Sequence, residues 1–324
     1  MAAAPPSMRA AVLQNAREFR VERRSPPILQ PGQVRIAVEG CGVCASSLPL
    51  WSGRPWFSYP QPAGTPGHEG WGEIVDAADD VEGWRKGDRV AFLSDRAFAE
   101  EDVARADAIA RLPSNADGQP LPGEPLACAM NVMHRARIAA GMDVAVVGVG
   151  FIGALLVQLA DAAGARVVAL SRRAWAREVA RACGASETLG TDDPHAAINA
   201  ALELTGGRGF DRVIEAAGEQ VTLDIASALC GEGARLVVAG YHQDGPRQVD
   251  MQQWNWRGID VINAHERDPR VARQGVLDAA ASVEAGWFDP SPLYTHQFPL
   301  EQAGAALDAM IERPPGFVKA LVTT

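Results

Sequence analysis

Cysteine is scarce and unpatterned: the five residues at 41, 44, 128, 183 and 230 are odd in number and scattered. That excludes a disulfide framework and fits a reducing compartment. Long apolar runs are also lacking, since none reaches the ~20 residues that a membrane-spanning helix needs. The opening MAAAPPSMRA has no charged start followed by an apolar stretch, so no secretion signal is expected and the predicted address is the cytoplasm. Positive charge is in deficit, with 30 Lys+Arg against 40 Asp+Glu and a formal net charge of −10. This balance opposes non-specific binding to phosphate backbones or anionic lipid, so neither nucleic acid nor membrane is an expected partner. Internal repeats are absent, as is low complexity beyond the short Ala/Pro start, and no repeat architecture is expected. What is present is an average globular composition, 47% hydrophobic and 22% charged, over 324 residues, enough for two domains with a core each.

From Met8 to Leu112, short β-rich runs (RAAVL, QVRIAVEG, WGEIVDA, DRVAFL) alternate with turn clusters such as LQPGQ, GTPGHEG and WRKGD, which predicts a mainly β domain. From about Leu126 the texture changes to strand and helix in alternation: DVAVVG, FIGALLVQLADAAG, ARVVAL, AWAREVARACGA, RVIEAAG, ARLVVAG. That is the pattern of βαβ units wound into a parallel sheet. Phe151 to Ala163 predicts a helix that is apolar all round, as under a sheet, and Gly164 ends it. The tail from Ser291 predicts an amphipathic helix stopped by Pro314-Pro315, then a strand FVKALV that closes one domain or the other.

Gly148-Val149-Gly150-Phe151-Ile152-Gly153 matches G-x-G-x-x-G, follows the apolar strand AVV and opens a helix, which is the placement a dinucleotide site requires. Gly148 permits the tight turn, Gly150 lets backbone approach the pyrophosphate, and Gly153 allows close helix–strand packing; the helix N-terminus offers free N–H groups to the phosphates. The competing reading is a glycine-rich turn that binds nothing. An NAD site usually ends its second strand in Asp or Glu. Here that strand ends in Ser171-Arg172-Arg173, a hydroxyl and two guanidinium forks that suit a 2′-phosphate, so NADP is favoured over NAD. The alternative makes the arginines solvated residues at the start of the next helix.

Two upstream segments carry metal-ligand chemistry: Gly40-Cys41-Gly42-Val43-Cys44-Ala45-Ser46-Ser47 and Gly67-His68-Glu69-Gly70. Thiolate, imidazole and carboxylate are the ligands zinc takes. Taken singly, Cys44 and Cys128 serve equally as small buried hydrophobes and His68 as a turn cap.

The order of these features, GVC and GHE in a β domain, then Glu-Pro-Leu-Ala-Cys, then GxGxxG, then a closing VKALV strand, resembles the medium-chain dehydrogenase/reductase superfamily in its zinc-dependent alcohol and polyol branch. The resemblance runs from Met8 to Val322. It implies an α/β chain with a GroES-like, mainly β catalytic domain (1–125 and 291–324), a Rossmann doubly wound parallel-sheet domain (126–290), and NAD(P)-dependent alcohol dehydrogenase activity (EC 1.1.1.-) in a homodimer or homotetramer. It places the catalytic zinc on Cys44 and His68, with Glu69 a ligand or exchanging near-ligand. The further ligand is Glu124 or Cys128, and Glu124 ranks first because Glu-Pro-Leu is the wording of the polyol branch. Ser46 stands where relatives relay the alcohol proton. The chemistry implied is Lewis-acid polarisation of an alcohol oxygen while hydride moves to or from nicotinamide.

Three departures accompany the resemblance. Ser47 replaces an Asp that anchors the ligand His, a loss that weakens metal affinity about 10–100-fold. Pro49 replaces a terminal proton-shuttle His. The run GDRVAFLSDRAFAEEDV lacks the four cysteines of a structural zinc, so one zinc per chain is expected. Trp51, Trp56, Phe57 and Tyr59 follow Cys44 where relatives form a wall of the substrate cleft, and His265, in NWRGIDVINAHERD, is expected to contact substrate or cofactor. Two other functions compete: a metal-free enone or quinone reductase of the same superfamily, and a nucleotide-binding protein without turnover.

Overall fold

Apolar residues at alternate positions dictate the central strand of the first unit. In Gln33–Gly42 the side chains of Val34, Ile36 and Val38 point to one buried face, and the strand then becomes buried on both faces at Gly40–Gly42. The computed structural model describes residues 7–116 and 118–324. Among these, the chain divides into two compact units, Met1–Ala127 with Asp268–Thr324, and Cys128–Arg267.

In the first unit a seven-stranded sheet runs in the order His296–Pro299, Ala320–Thr323, Gln33–Gly42, Glu69–Ala77, Arg89–Phe92, Ile109–Arg111, with Glu101–Arg105 also paired to Gln33–Gly42. Apart from the parallel contact of the first two strands, the pairing is antiparallel. A hairpin of Met8–Asn15 and Glu18–Arg24 lies beside it. Glycine makes the tightest contacts possible: a Cβ on Gly40 would sit 2.5 Å from the Trp71 ring, and one on Gly42 would sit 1.8 Å from Glu69 Oε2. The tail helix, Ala303–Glu312, ends at Arg313 in the left-handed region before Pro314, and Ala320–Thr323 closes the β unit.

The first unit also takes more of the chain's end than the sequence suggests. The expected boundary put 126–290 in the Rossmann domain, but the return comes at Asp268. Helix Pro269–Glu284 belongs with the β unit because its groups are used there: Arg273 Nε donates to Ile109 O at 2.9 Å, Asn115 Nδ2 to Val283 O and Glu284 O, and Gly275 packs on Ala127.

The second unit is a six-stranded parallel sheet, ordered Glu187–Leu189, Arg166–Leu170, Asp143–Val147, Phe210–Glu215, Cys230–Val238, Asp260–Asn263. This is the 3-2-1-4-5-6 order of a doubly wound fold, whose direction reverses between Asp143–Val147 and Phe210–Glu215. Helix Phe151–Ala162 buries eight of its residues, as its all-round apolar sequence requires. Among the described residues no helix is long and apolar enough to cross a membrane.

Gly153 sets the distance between that helix and the strand before it, since a Cβ there would lie 2.1 Å from Gly148 O. Gly153→Ala is therefore expected to destabilise the second unit by about 1–3 kcal/mol through overpacking. Urea unfolding of the purified variant checks this, and an unchanged midpoint would show that helix and loop have room to part.

Candidate active site

The central strand delivers the first donor. After Gly42 the chain leaves the sheet, Val43 N bonds Ala320 O at 3.0 Å, and Cys44 opens the short turn Ala45–Ser47. The neighbouring strand starts at Glu69, opposite Gly42 in register, so His68 and Glu69 arrive at the same end of the sheet. One ligand atom each from Cys44, His68 and Glu69 lie within 4.8 Å of one another.

The local bonds orient this set. His68 Nδ1 lies 3.0 Å from Pro66 O; a carbonyl only accepts, so Nδ1 carries the hydrogen and Nε2 keeps the lone pair in the neutral ring. Nε2 faces Ser46 Oγ at 3.5 Å, and Ser46 Oγ donates to Cys44 Sγ at 3.2 Å. Glu69 is 1% exposed and pairs with Lys319, 3% exposed, whose Nζ lies 2.7 Å from Oε1 and 2.5 Å from Oε2 and also donates to Val43 O at 2.9 Å. Burial alone would hold the His68 imidazole neutral. The hydrogen bond and charge of Cys44, with the charges of Glu69 and Glu124, overcome it and push the pKa from 6.5 up to about 10. Burial likewise opposes the charge on Lys319, and Glu69 and Cys44 hold its pKa above the ordinary value. The field is that of a site short of positive charge.

A cavity of about 340 Å³ opens beside His68, lined also by Leu93, Ser94, Asp95 and Glu124. Among the described residues Glu124 lies outside the three-residue cluster but on this cavity, whereas Cys128 is exposed and falls in the second unit. Cys41, Cys183 and Cys230 are buried, and burial raises each thiol pKa, that of Cys183 to about 11 and that of Cys230 to about 12.

In the second unit Gly148 takes φ +100°, where a Cβ would meet Ala217 at 2.9 Å, and Gly150 faces open space. Helix Phe151–Ala162 has no side-chain cap at its N-terminus, so Phe151 and Ile152 open it with N–H groups that no capping side chain takes up. Ser171 is buried, Arg172 exposed, and Arg173 Nη2 donates to Val149 O at 3.1 Å. Arg177 Nη1 donates to Ser171 O and Arg172 O, both at 2.9 Å, which fixes the backbone where Arg172 stands.

Residues 30–110 match the family described as alcohol dehydrogenase GroES-like domain, and residues 152–282 the family described as zinc-binding dehydrogenase. D-arabinitol dehydrogenase 1 of Uromyces fabae is 26% identical over 95% of both chains, and sorbitol dehydrogenase of Bacillus subtilis (strain 168) 25% identical over 98% of both. A structure assigned as a zinc-binding dehydrogenase of Sinorhizobium meliloti 1021, bound to NADP, superposes with a TM-score of 0.83 at 25% identity, covering 98% of this chain and all of that one.

This chain belongs to the zinc-dependent medium-chain dehydrogenase/reductase superfamily. It is a member of the alcohol and polyol dehydrogenase branch, with that branch's GroES-like and Rossmann domains, and an NAD(P)-dependent alcohol dehydrogenase by class. The donor set fits the metal of this superfamily: a soft sulfur, an imidazole whose Nε2 can exchange its proton for a cation, and carboxylate oxygen, in a negative field.

One expected residue stands elsewhere. Trp51 does not wall a cleft: it is 2% exposed, stacks on Phe19 at 5.4 Å and donates from Nε1 to Asp308 Oδ1 at 2.8 Å, because the turn carrying it faces the core. Trp56 is 64% exposed, beside Phe57 and under Arg54, and is not on the cavity. His265 stacks on Tyr241 at 5.7 Å in the second unit, and burial holds its pKa below the ordinary value.

Sequence reasoning passed over Lys319 and Glu215. A lysine inside the apolar strand FVKALV is the signal for the first. Glu215 ends Phe210–Glu215 fully buried and accepts from Ala217 N, Gly218 N, Thr222 Oγ1 and His242 Nε2 at 2.7–3.0 Å.

Removing one member of a buried ion pair typically costs about 3–5 kcal/mol, because the other is stranded. Lys319→Met is expected to lose that much in chemical denaturation, and Lys319→Met with Glu69→Gln less than the sum of the two single changes. Strict additivity would mean that the pair is not coupled.

Proposed function

We propose that this protein transfers hydride between a secondary alcohol of polyol, cyclitol or sugar-like type and NADP, using one catalytic zinc. The convergence of Cys44, His68 and Glu69 carries the reading. A metal-free enone reductase has no use for that donor set, and the similarity to arabinitol and sorbitol dehydrogenases favours a polyol. Zinc bound here supplies Lewis-acid polarisation of the alcohol oxygen, and the nicotinamide accepts or delivers the hydride.

The chain's own groups do the rest. Cys44 and His68 hold the metal, with the Nδ1–H to Pro66 O keeping Nε2 as the ligand atom. Glu124 is the better candidate for a further ligand because it lines the cavity with His68, while Cys128 is exposed. Glu69 has Lys319 against both of its oxygens, which suits a near-ligand that exchanges rather than a permanent one. Ser46 Oγ takes the alcohol proton and passes it on. Gly148, Gly150 and Gly153, with the N–H groups at Phe151 and Ile152, cradle the pyrophosphate. Arg172, exposed beside the buried Ser171, reads the 2′-phosphate; Arg173, engaged with Val149 O, braces the glycine loop. The molecule works in the cytoplasm as a homodimer or homotetramer.

Metal analysis of the purified protein is expected to find about one zinc per chain, lost in Cys44→Ser and in His68→Ala, and chelation is expected to stop alcohol oxidation until zinc is returned. Full activity in metal-free protein would end the proposal.

A second measurement addresses the cofactor. Arg172→Ala is expected to lower kcat/KM for NADP by ~10-fold while changing that for NAD by less than about twofold. Equal losses with both cofactors would assign Arg172 no part in phosphate recognition.

A further inference from the structure

The cavity wall beyond the metal donors has a chemistry of its own. Ser94 Oγ donates its single hydrogen to Asp102 Oδ2 at 2.5 Å and accepts from Arg96 N at 3.1 Å. A hydroxyl oxygen has two lone pairs, so one acceptor position remains. Next to it on the same cavity stands the Asp95 carboxylate, exposed and, among the described residues, in no ion pair or hydrogen bond. Among the described residues Arg96 makes no ion pair with it, and Arg96 lines a separate cavity of the same unit, together with Arg24 and Asp102. The wall therefore presents two adjacent acceptors, one charged, and Leu93 as its apolar part.

Acceptors without donors recognise hydrogen-bond donors, and a fixed negative charge discriminates against anions. Hydroxyl groups supply such hydrogens without charge. We propose that Ser94 and Asp95 select an uncharged polyhydroxylated substrate, accepting from hydroxyls other than the reacting one, and that Asp95 excludes sugar acids and sugar phosphates. Asp95 is thus a specificity-determining residue for the reaction. The inference rests on the reading of this site as a polyol dehydrogenase and names the charge of its substrate.

The test compares kcat/KM of the zinc-loaded full-length protein at low ionic strength for four substrates: a six-carbon polyol, the corresponding aldonic acid, its terminal phosphate, and a simple secondary alcohol. Wild type is expected to favour the polyol over both anions by ~100-fold and over the simple alcohol by ~10-fold. Asp95→Asn, which keeps shape and one acceptor, is expected to raise kcat/KM for the anions ~10-fold, and Ser94→Ala to raise KM for the polyol. A polyol-to-anion ratio that moves less than about twofold in Asp95→Asn overturns the inference, as does wild type that takes anions or the simple alcohol as readily as the polyol; in both cases alcohol dehydrogenase function stands. Turnover of no alcohol with either cofactor overturns the function, and the inference with it.

Discussion

A buried lysine–glutamate pair decides where the metal donors stand. Lys319 immediately precedes the last strand of the chain and Glu69 starts another, and both are almost wholly removed from solvent. Desolvating two such charges costs several kcal/mol per ion and is offset only by good geometry. Nζ meets it in part: it donates to Glu69 Oε1 and Val43 O and lies close to Oε2, a buried oxygen with no hydrogen-bond partner among the described residues. Gly42, opposite Glu69 and Leu321 in register, leaves the space a side chain would fill. A slip of one residue in either strand would turn Glu69 or Lys319 to the other face and strand its partner. The pair therefore specifies register more than it adds stability, and register brings Cys44 and His68 together.

The second unit solves a related problem without a buried cation. Glu215 stands where the strand order reverses and is satisfied by two backbone N–H groups, a hydroxyl and an imidazole. Arg247 Nε donates to His242 Nδ1, so that nitrogen is the acceptor and Nε2 carries the hydrogen given to Glu215. Arg247 Nη2 also donates to Gly218 O, closing the network on the loop it braces. Ala217, held by Glu215, is what a Cβ on Gly148 would strike. The glycine loop is thus shaped from below by a charged network as well as by its own glycines.

Local signals made much of this legible. Period-two apolar runs and the strand–GxGxxG–helix placement depend on neighbouring residues, and they gave the strands at Gln33–Gly42, Glu69–Ala77, Asp143–Val147 and Arg166–Leu170 within a residue or two. Contacts between distant segments were not legible. Lys319 lies 250 residues from Glu69, and nothing near either names the other. His242 has no visible partner until Glu215 is brought beside it. Trp51 was misplaced because aromatic composition does not say which face of a short turn is buried. Helix Pro269–Glu284 was misassigned because helical periodicity carries no address: the first unit claims it through Arg273, Asn115 and Gly275.

Ser47 is the departure with most bearing on metal affinity, and the fold supplies a replacement for the missing carboxylate. The job of that carboxylate is to accept from the ring nitrogen that does not face the metal, fixing the tautomer and adding basicity. Pro66 O does the first part, at 3.0 Å from Nδ1. A neutral carbonyl does less of the second, so the attraction for a cation has to come from elsewhere in the site. It comes from Cys44, Glu69 and Glu124, whose combined effect on His68 outweighs burial. Orientation from the backbone and charge from the donor set are separable contributions, and in this chain the charge falls to the proposed ligands rather than to an anchoring carboxylate.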